Sequence, residues 1–221
     1  MSQINARLVY KNALRAMVNA GVNPQQAILS QSYLRLERQL TTAATSYQFG
    51  VLVNDQPAGQ GAVRPTEQRL NLQDAFYVGN VSFYLTTGAA TDTALDLKTY
   101  NDRFVFTGAG VATQLLNVWN GYLSLTVNNR VITPSWSLYS HYWVGQTQQN
   151  AALASGVNID QFDGTSSATV ACEPNWVLIG SKNNVLTINL PAAPTALTAG
   201  TNTYMVIILR GILAQNVTVV S

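Results

Sequence analysis

The hydrophobic pattern changes period near residue 41. Upstream, Ile4, Leu8, Leu14, Met17 and Val18 fall mostly at helical spacing, and Arg7, Lys11 and Arg15 recur four apart on another face. This predicts an amphipathic helix over residues 4–20. Gly21 should stop it, and Asn23-Pro24 offers an N-cap with proline at the first helical position. A second helix is therefore expected to follow, with Ile28, Leu29, Tyr33, Leu36 and Leu40 on its apolar face. The two helices would form an arm over residues 1–45.

From Thr41 onward Val, Tyr, Phe, Thr and Asn dominate, with turn residues every 8 to 12 or so positions, the spacing of sandwiches and barrels. Strands are predicted near 47–53, 75–86, 103–106, 122–128, 131–138, 142–144, 169–179, 185–190, 204–213 and 215–220. One helix, 111–119, is expected among them, because Val111, Leu115, Leu116 and Val118 cluster on a face and Asn120-Gly121 marks a turn. The body, 46–221, is expected to be one β domain. Two polar stretches rich in small residues, 54–69 and 145–168, are predicted to be long loops of the kind that carry function or are ordered by a neighbour.

Composition sharpens this picture. Of 221 residues only 10% are charged, against about 25% in soluble domains, and mixed surface charge is what keeps monomers apart. A body so poor in charge is expected to be covered by copies of itself. Arg7, Lys11, Arg15, Arg35 and Arg38 place five of the twelve Lys and Arg in the arm, with Glu37 the only acid before Asp55. These five are candidates for an internal contact with nucleic acid or lipid, although they are sparser than the dense basic runs that bind phosphate backbones strongly. The apolar positions Leu8, Leu14, Met17, Leu36 and Leu40 are candidates for burial against a neighbouring subunit. The start of the chain has no apolar signal core, so synthesis in a cytosol is expected. No apolar run approaches membrane-spanning length.

Candidate chemistry is thin. His141 is the single histidine and Cys172 the single cysteine. Neither a His-based metal cluster nor an intrachain disulfide is available, and no Gly-x-Ser-x-Gly elbow accompanies His141. We read His141 as structural, Cys172 as a small buried hydrophobe, and the chain as a non-enzyme without cofactor. Asp160 and Asp163 are too few for a calcium loop. Trp136, Tyr142 and Trp143 could form a flat sugar-binding platform, but core and interface packing is the simpler use of such aromatics.

The order of segments is informative as a whole. PQQAILSQSYLRLERQL is followed by TEQRLNLQDAFYVGNVSFYL, then LLNVWNGYLSLTVNNRVI, and finally NTYMVIILRGILAQNVTV. This arrangement resembles jelly-roll capsid proteins of icosahedral bacteriophages, in particular those of membrane-containing phages infecting Bacteroidota. The resemblance implies a mainly β, jelly-roll sandwich with an N-terminal α-helical arm, a single barrel being favoured over a compact double one by length. It implies a virion shell subunit that assembles with copies of itself as trimer, pentamer or larger shell, beside other capsid or vertex proteins, around packaged DNA or an internal membrane surface. The alternative is a phage fibre or receptor-binding module that binds carbohydrate.

Overall fold

The computed structural model describes residues 3–24, 27–55, 64–93, 95–144 and 168–219, with side chains described between residues 10 and 217 of these ranges. Two four-stranded antiparallel sheets pack face to face. In chain order the elements are α1 (Gln3–Asn19), β1 (Val22–Asn23), β2 (Ile28–Gln39), β3 (Ser46–Gly50), β4 (Ala75–Gly88), α2 (Val111–Trp119), β5 (Tyr122–Val127) and β6 (Arg130–Ser137). A 3-10 turn (Leu138–His141), β7 (Thr169–Ile179), β8 (Asn184–Asn189), β9 (Asn202–Gln215) and β10 (Thr218–Val219) complete the chain. The first sheet runs β2-β9-β4-β7 and the second β3-β8-β5-β6, while β1 and β10 form a small separate pair.

The predicted second helix is corrected: residues 28–39 are the strand β2, paired along its whole length with β9 from Ile28–Gln215 to Gln39–Tyr204. Leu, Gln, Arg and Glu are good helix formers, but propensity is a weak prior against tertiary context. Leu34, Leu36 and Leu40 sit at even spacing and fill the inter-sheet core, so a period of two decides the segment. Leu36 and Leu40 thus leave the expected arm for the centre of the sandwich, and α1 alone remains helical at this end. Strands expected over 103–106 and 142–144 are a turn and an extended segment after the 3-10 turn. The strand expected at 215–220 is the end of β9 followed by the short β10.

The main core contains Leu34, Leu36 and Leu40 from β2, Phe83 and Leu85 from β4, Leu186 and Ile188 from β8, and Met205, Ile207 and Leu209 from β9, with α2 closing one end through Val111, Leu115, Val118 and Trp119. In β4 the residues of this core are Phe76 and Val78, then Val81, Phe83 and Leu85. A bulge between Val78 and Asn80 reverses the parity. Without it, half of β4 would present its polar face inward. The two-residue β5–β6 connection is Asn128-Asn129, at φ 47° and 63°, the left-handed pair that hairpins of this length prefer.

The first sheet is covered on its outer face as well. At one end Ala13 and Met17 of α1 pack with Val22 on Ala75, Tyr77, Ile179, Ile212 and Ala214. At the other end Ala168 and Leu97 join Tyr84, Val206 and Ile208. Burial on both faces explains why β9 is apolar without alternation over Met205–Leu209. Where β9 crosses the β4 bulge, a Cβ at Gly211 would collide with the Tyr77 carbonyl. Gly211→Ala is expected to cost about 1–3 kcal/mol, as overpacked sites do, read as a lower urea midpoint with an unchanged m-value.

Candidate functional site

Three places hold the predicted site residues or unusual chemistry. The first is α1 and the groove beside it. Gly21 at φ 84° ends the helix, and the Lys182 ammonium donates to the Ala20 carbonyl (3.4 Å) at its C-terminal end. Met17 is buried and Leu14 half-buried, while Lys11 and Arg15 are exposed. Arg7 and Leu8 lie in the turns of α1 whose side chains are outside the described residues. An open groove of about 940 Å³ lies between Tyr10, Leu14 and Val18 on the helix and Val22, Ala27 and Leu29 on the chain leading into β2. Tyr10, Val18 and the neighbouring Ile28 are 44%, 57% and 63% exposed. The helix that was expected to reach a neighbour is seated on its own sheet, with its apolar Tyr10–Val18 side left facing the groove.

The second place is a buried ionic cluster. Arg35 Nε donates to Glu37 Oε1 (2.7 Å), Arg64 pairs with Glu37 Oε2 (3.1 Å), and the Thr66 hydroxyl also donates to Glu37 Oε1. Glu67 accepts from the Glu37 amide (2.9 Å), the Arg64 amide (3.1 Å) and Arg69 Nη2 (3.1 Å). Arg64 also stacks over the Tyr204 ring at 4.0 Å. Arg38 is buried on the opposite side of β2, where loss of water holds its guanidinium below the usual arginine value, opposed by Tyr47 and Glu67. Arg35 and Arg38 are therefore parts of the fold and are not displayed with Lys11 and Arg15 as one basic face. Sequence reading overlooked this cluster. Its signal is Arg35-x-Glu37 and Glu67-x-Arg69, opposite charges two apart, which share a face only on extended chain.

The third place is aromatic. Trp136 Nε1 donates to His141 Nε2 (2.9 Å), and His141 Nδ1 lies 2.8 Å from the Ala168 carbonyl. An indole N–H can only donate, so Nε2 accepts and Nδ1 carries the proton. Both ring nitrogens are engaged in structure. Trp136 also meets Trp176 edge-on (5.6 Å), and Trp119 meets Phe83 (5.0 Å) and Tyr142 (5.5 Å) edge-on. The Tyr142 hydroxyl donates to Asn101 Oδ1 (2.9 Å), and its ring stacks on Tyr139, which is 59% exposed. Burial and the neighbouring Tyr139 raise the Tyr142 phenol. Trp143, half-buried, is held through its backbone by Thr99 (3.1 and 2.6 Å). Trp136 and Tyr142 are thus drawn into packing, and Tyr139 carries the open aromatic face.

Burial lowers the His141 pKa below 6.5, partly opposed by the Ala168 hydrogen bond. The unfolded chain then takes up a proton near pH 6.5 while the folded chain does not, so stability falls as pH drops below that value until the folded form also protonates. The expected loss is at most about 1.4 kcal/mol per pH unit. Comparing urea midpoints at pH 7.5 and 5.5 for the native chain and His141→Gln isolates it, because there is no other histidine. An equal pH response in both would show that His141 does not titrate as its burial requires.

Cys172 is fully buried, and desolvation raises its thiol to about 12. Among the described residues no group of His, Cys, Asp and Glu could hold a metal ion, and no helix is long and apolar enough to cross a membrane. Asp160 and Asp163 lie outside the described residues, as do 56–63 and 145–167 of the two long loops. No protein-family model, curated protein or solved structure matches the chain.

Proposed function

We propose that this chain is a shell subunit of an icosahedral bacteriophage, a single jelly roll that works by self-assembly. The observation that carries the reading is the strand order. The first strand of the sandwich lies beside the last, β2-β9-β4-β7 faces β3-β8-β5-β6, and two interleaved Greek keys of eight strands are the jelly-roll plan found in viral capsid proteins. The same plan serves lectins and cupins, so the fold does not decide the function. The low charge content supports a surface meant to be covered. In this reading the groove-facing side of α1 and the charge-poor strands and loops are buried in interfaces of about 2,000 Å² or more. Trimers or pentamers then join other capsid or vertex proteins around DNA or a membrane in the virion, after synthesis in the host cytosol.

Light scattering of the purified full-length chain, with negative-stain images, tests this. Trimers, pentamers or closed particles are expected, and a stable monomer at high concentration would count against a shell role. A second reading, a carbohydrate-binding module, is favoured by the exposed Tyr139 ring stacked on Tyr142 with Asn101 at its edge. Binding on a glycan array that disappears in Tyr139→Ala would select it.

A further inference from the structure

The outermost strand of the first sheet, β2, is protected by a device unlike that of the outer strands β6 and β7. Residues 64–70 form a strap that meets it at Arg35 and Glu37. Arg35 and Gln68 exchange both backbone hydrogen bonds (2.9 Å each), and the next edge-facing amide, that of Glu37, is taken by the Glu67 carboxylate. Beyond β2 the strap crosses to the segment that follows β3, where the Leu70 amide donates to Val51 and the Leu70 carbonyl accepts from Val53. It is pinned from within by Glu37, which holds Arg64 and Thr66, and by Glu67, which holds Arg69.

The opposite side of the sandwich resists strand addition by other means. Strand β6 contains Pro134 and shifts register twice against β5, while β7 departs from its ladder opposite Gly79, around Glu173 and Pro174. Prolines and irregularities of this kind blunt an edge. Strand β2 has neither. Its twelve residues, ILSQSYLRLERQ, hold an unbroken ladder to β9 and contain no proline or glycine. A long, regular strand paired on one side is the kind of edge that recruits another chain. Buried ion pairs in place of apolar contacts add little net stability, yet they fix one arrangement and fail badly when one member is lost. That behaviour suits a pin.

We propose that the strap 64–70, pinned by Glu37 and Glu67, guards the β2 edge, and that the partner it excludes is the β2 edge of a second copy. Two β2 strands meeting antiparallel would form a two-fold pair that joins two first sheets into one. This inference is independent of the shell reading, since any copy of the chain, assembled or not, carries the same edge.

The test places a reporter cysteine at Gln31, Tyr33 or Gln39, one at a time; all three are exposed on β2. Cys172 stays silent because it is buried with its thiol raised to about 12. Each reporter is combined with the double variant Glu37→Gln/Glu67→Gln or, separately, with Gln68→Pro. The latter removes one strap hydrogen bond from an exposed position and leaves the buried carboxylates in place, so it answers the question if the double variant fails to fold. With the strap intact, mild oxidation should give little disulfide dimer, and amide exchange at Arg35 and Gln68 should be slow. In the double variant both amides should exchange quickly, and in Gln68→Pro, which has no amide at 68, the Arg35 amide should do so, while Leu209 stays protected in each; dimer through at least one reporter should rise about tenfold. Fast exchange without dimer, protected amides in both variants, or abundant β2-linked dimer with the strap intact would each overturn the proposal.

Discussion

A chain lacking residues 1–40 is expected not to fold, whereas one lacking residues 1–20 is expected to fold with reduced stability. The first deletion removes β2, the whole ladder to β9, and Leu34, Leu36 and Leu40 from the main core. At about 1.5–3 kcal/mol for each buried leucine, the loss rivals the 5–15 kcal/mol or so that holds an ordinary domain together. The second deletion removes α1, whose buried contribution comes mainly from Met17 and Ala13 on the outer face of the first sheet. Burial of a methionine side chain is worth about 1.5–3 kcal/mol, so melting should remain cooperative at a lower temperature. Far-UV circular dichroism and thermal melts separate the two outcomes. A cooperative melt in the 1–40 deletion would mean that β2 is dispensable. The 1–20 deletion is also the proper probe of assembly, because a change in its particle size is attributable to α1 and not to a ruined sandwich.

Trp119→Ala should produce the largest loss from any single side chain in the body. Trp119 is fully buried at the end of α2, and its ring meets Phe83 from β4 and Tyr142 after the 3-10 turn at near-perpendicular angles of 82° and 76°. Removing it leaves a large cavity between elements that cannot collapse together, and such truncations cost about 3–5 kcal/mol. Trp136→Ala, at a half-buried position on the edge strand β6, should cost less. Urea denaturation of both variants checks the ranking. Trp119→Ala should also loosen the Tyr139 and Tyr142 stack, visible as a change in near-UV circular dichroism, because Tyr142 rests on the lost ring.

How much could be read beforehand follows from which forces act locally. Helix α2 and strand β7 appear in the sequence with their observed ends, since apolar spacing and flanking turn residues agree there. Strand β2 is hidden because the positions facing away from the main core carry Gln, Arg and Glu, and because Asn23-Pro24 resembles a helix start. Only the partner β9, far along the chain, reveals that Leu34, Leu36 and Leu40 face a core. Arg38 adds to the concealment by occupying a core-facing position of the same alternation. The division of labour among the aromatic residues was not legible: a hydrogen bond from Trp136 to His141 and a stack of Tyr139 on Tyr142 depend on the 3-10 turn. The groove beside α1 has no sequence signature, because its walls come from separate elements.

The pairing of β2 with β9 has a consequence for how the molecule is made. Ile28 meets Gln215 and Leu29 meets Ala214, so an early-synthesised strand waits on the ribosome for a partner near the other end of the chain. Loop closure over such a distance makes folding slow, and a waiting strand is open to wrong partners in the meantime. The strap, which emerges soon after β2, is the first element able to shield that strand in the nascent chain. Maturation of the sheet is therefore a late event, tied to completion of β9.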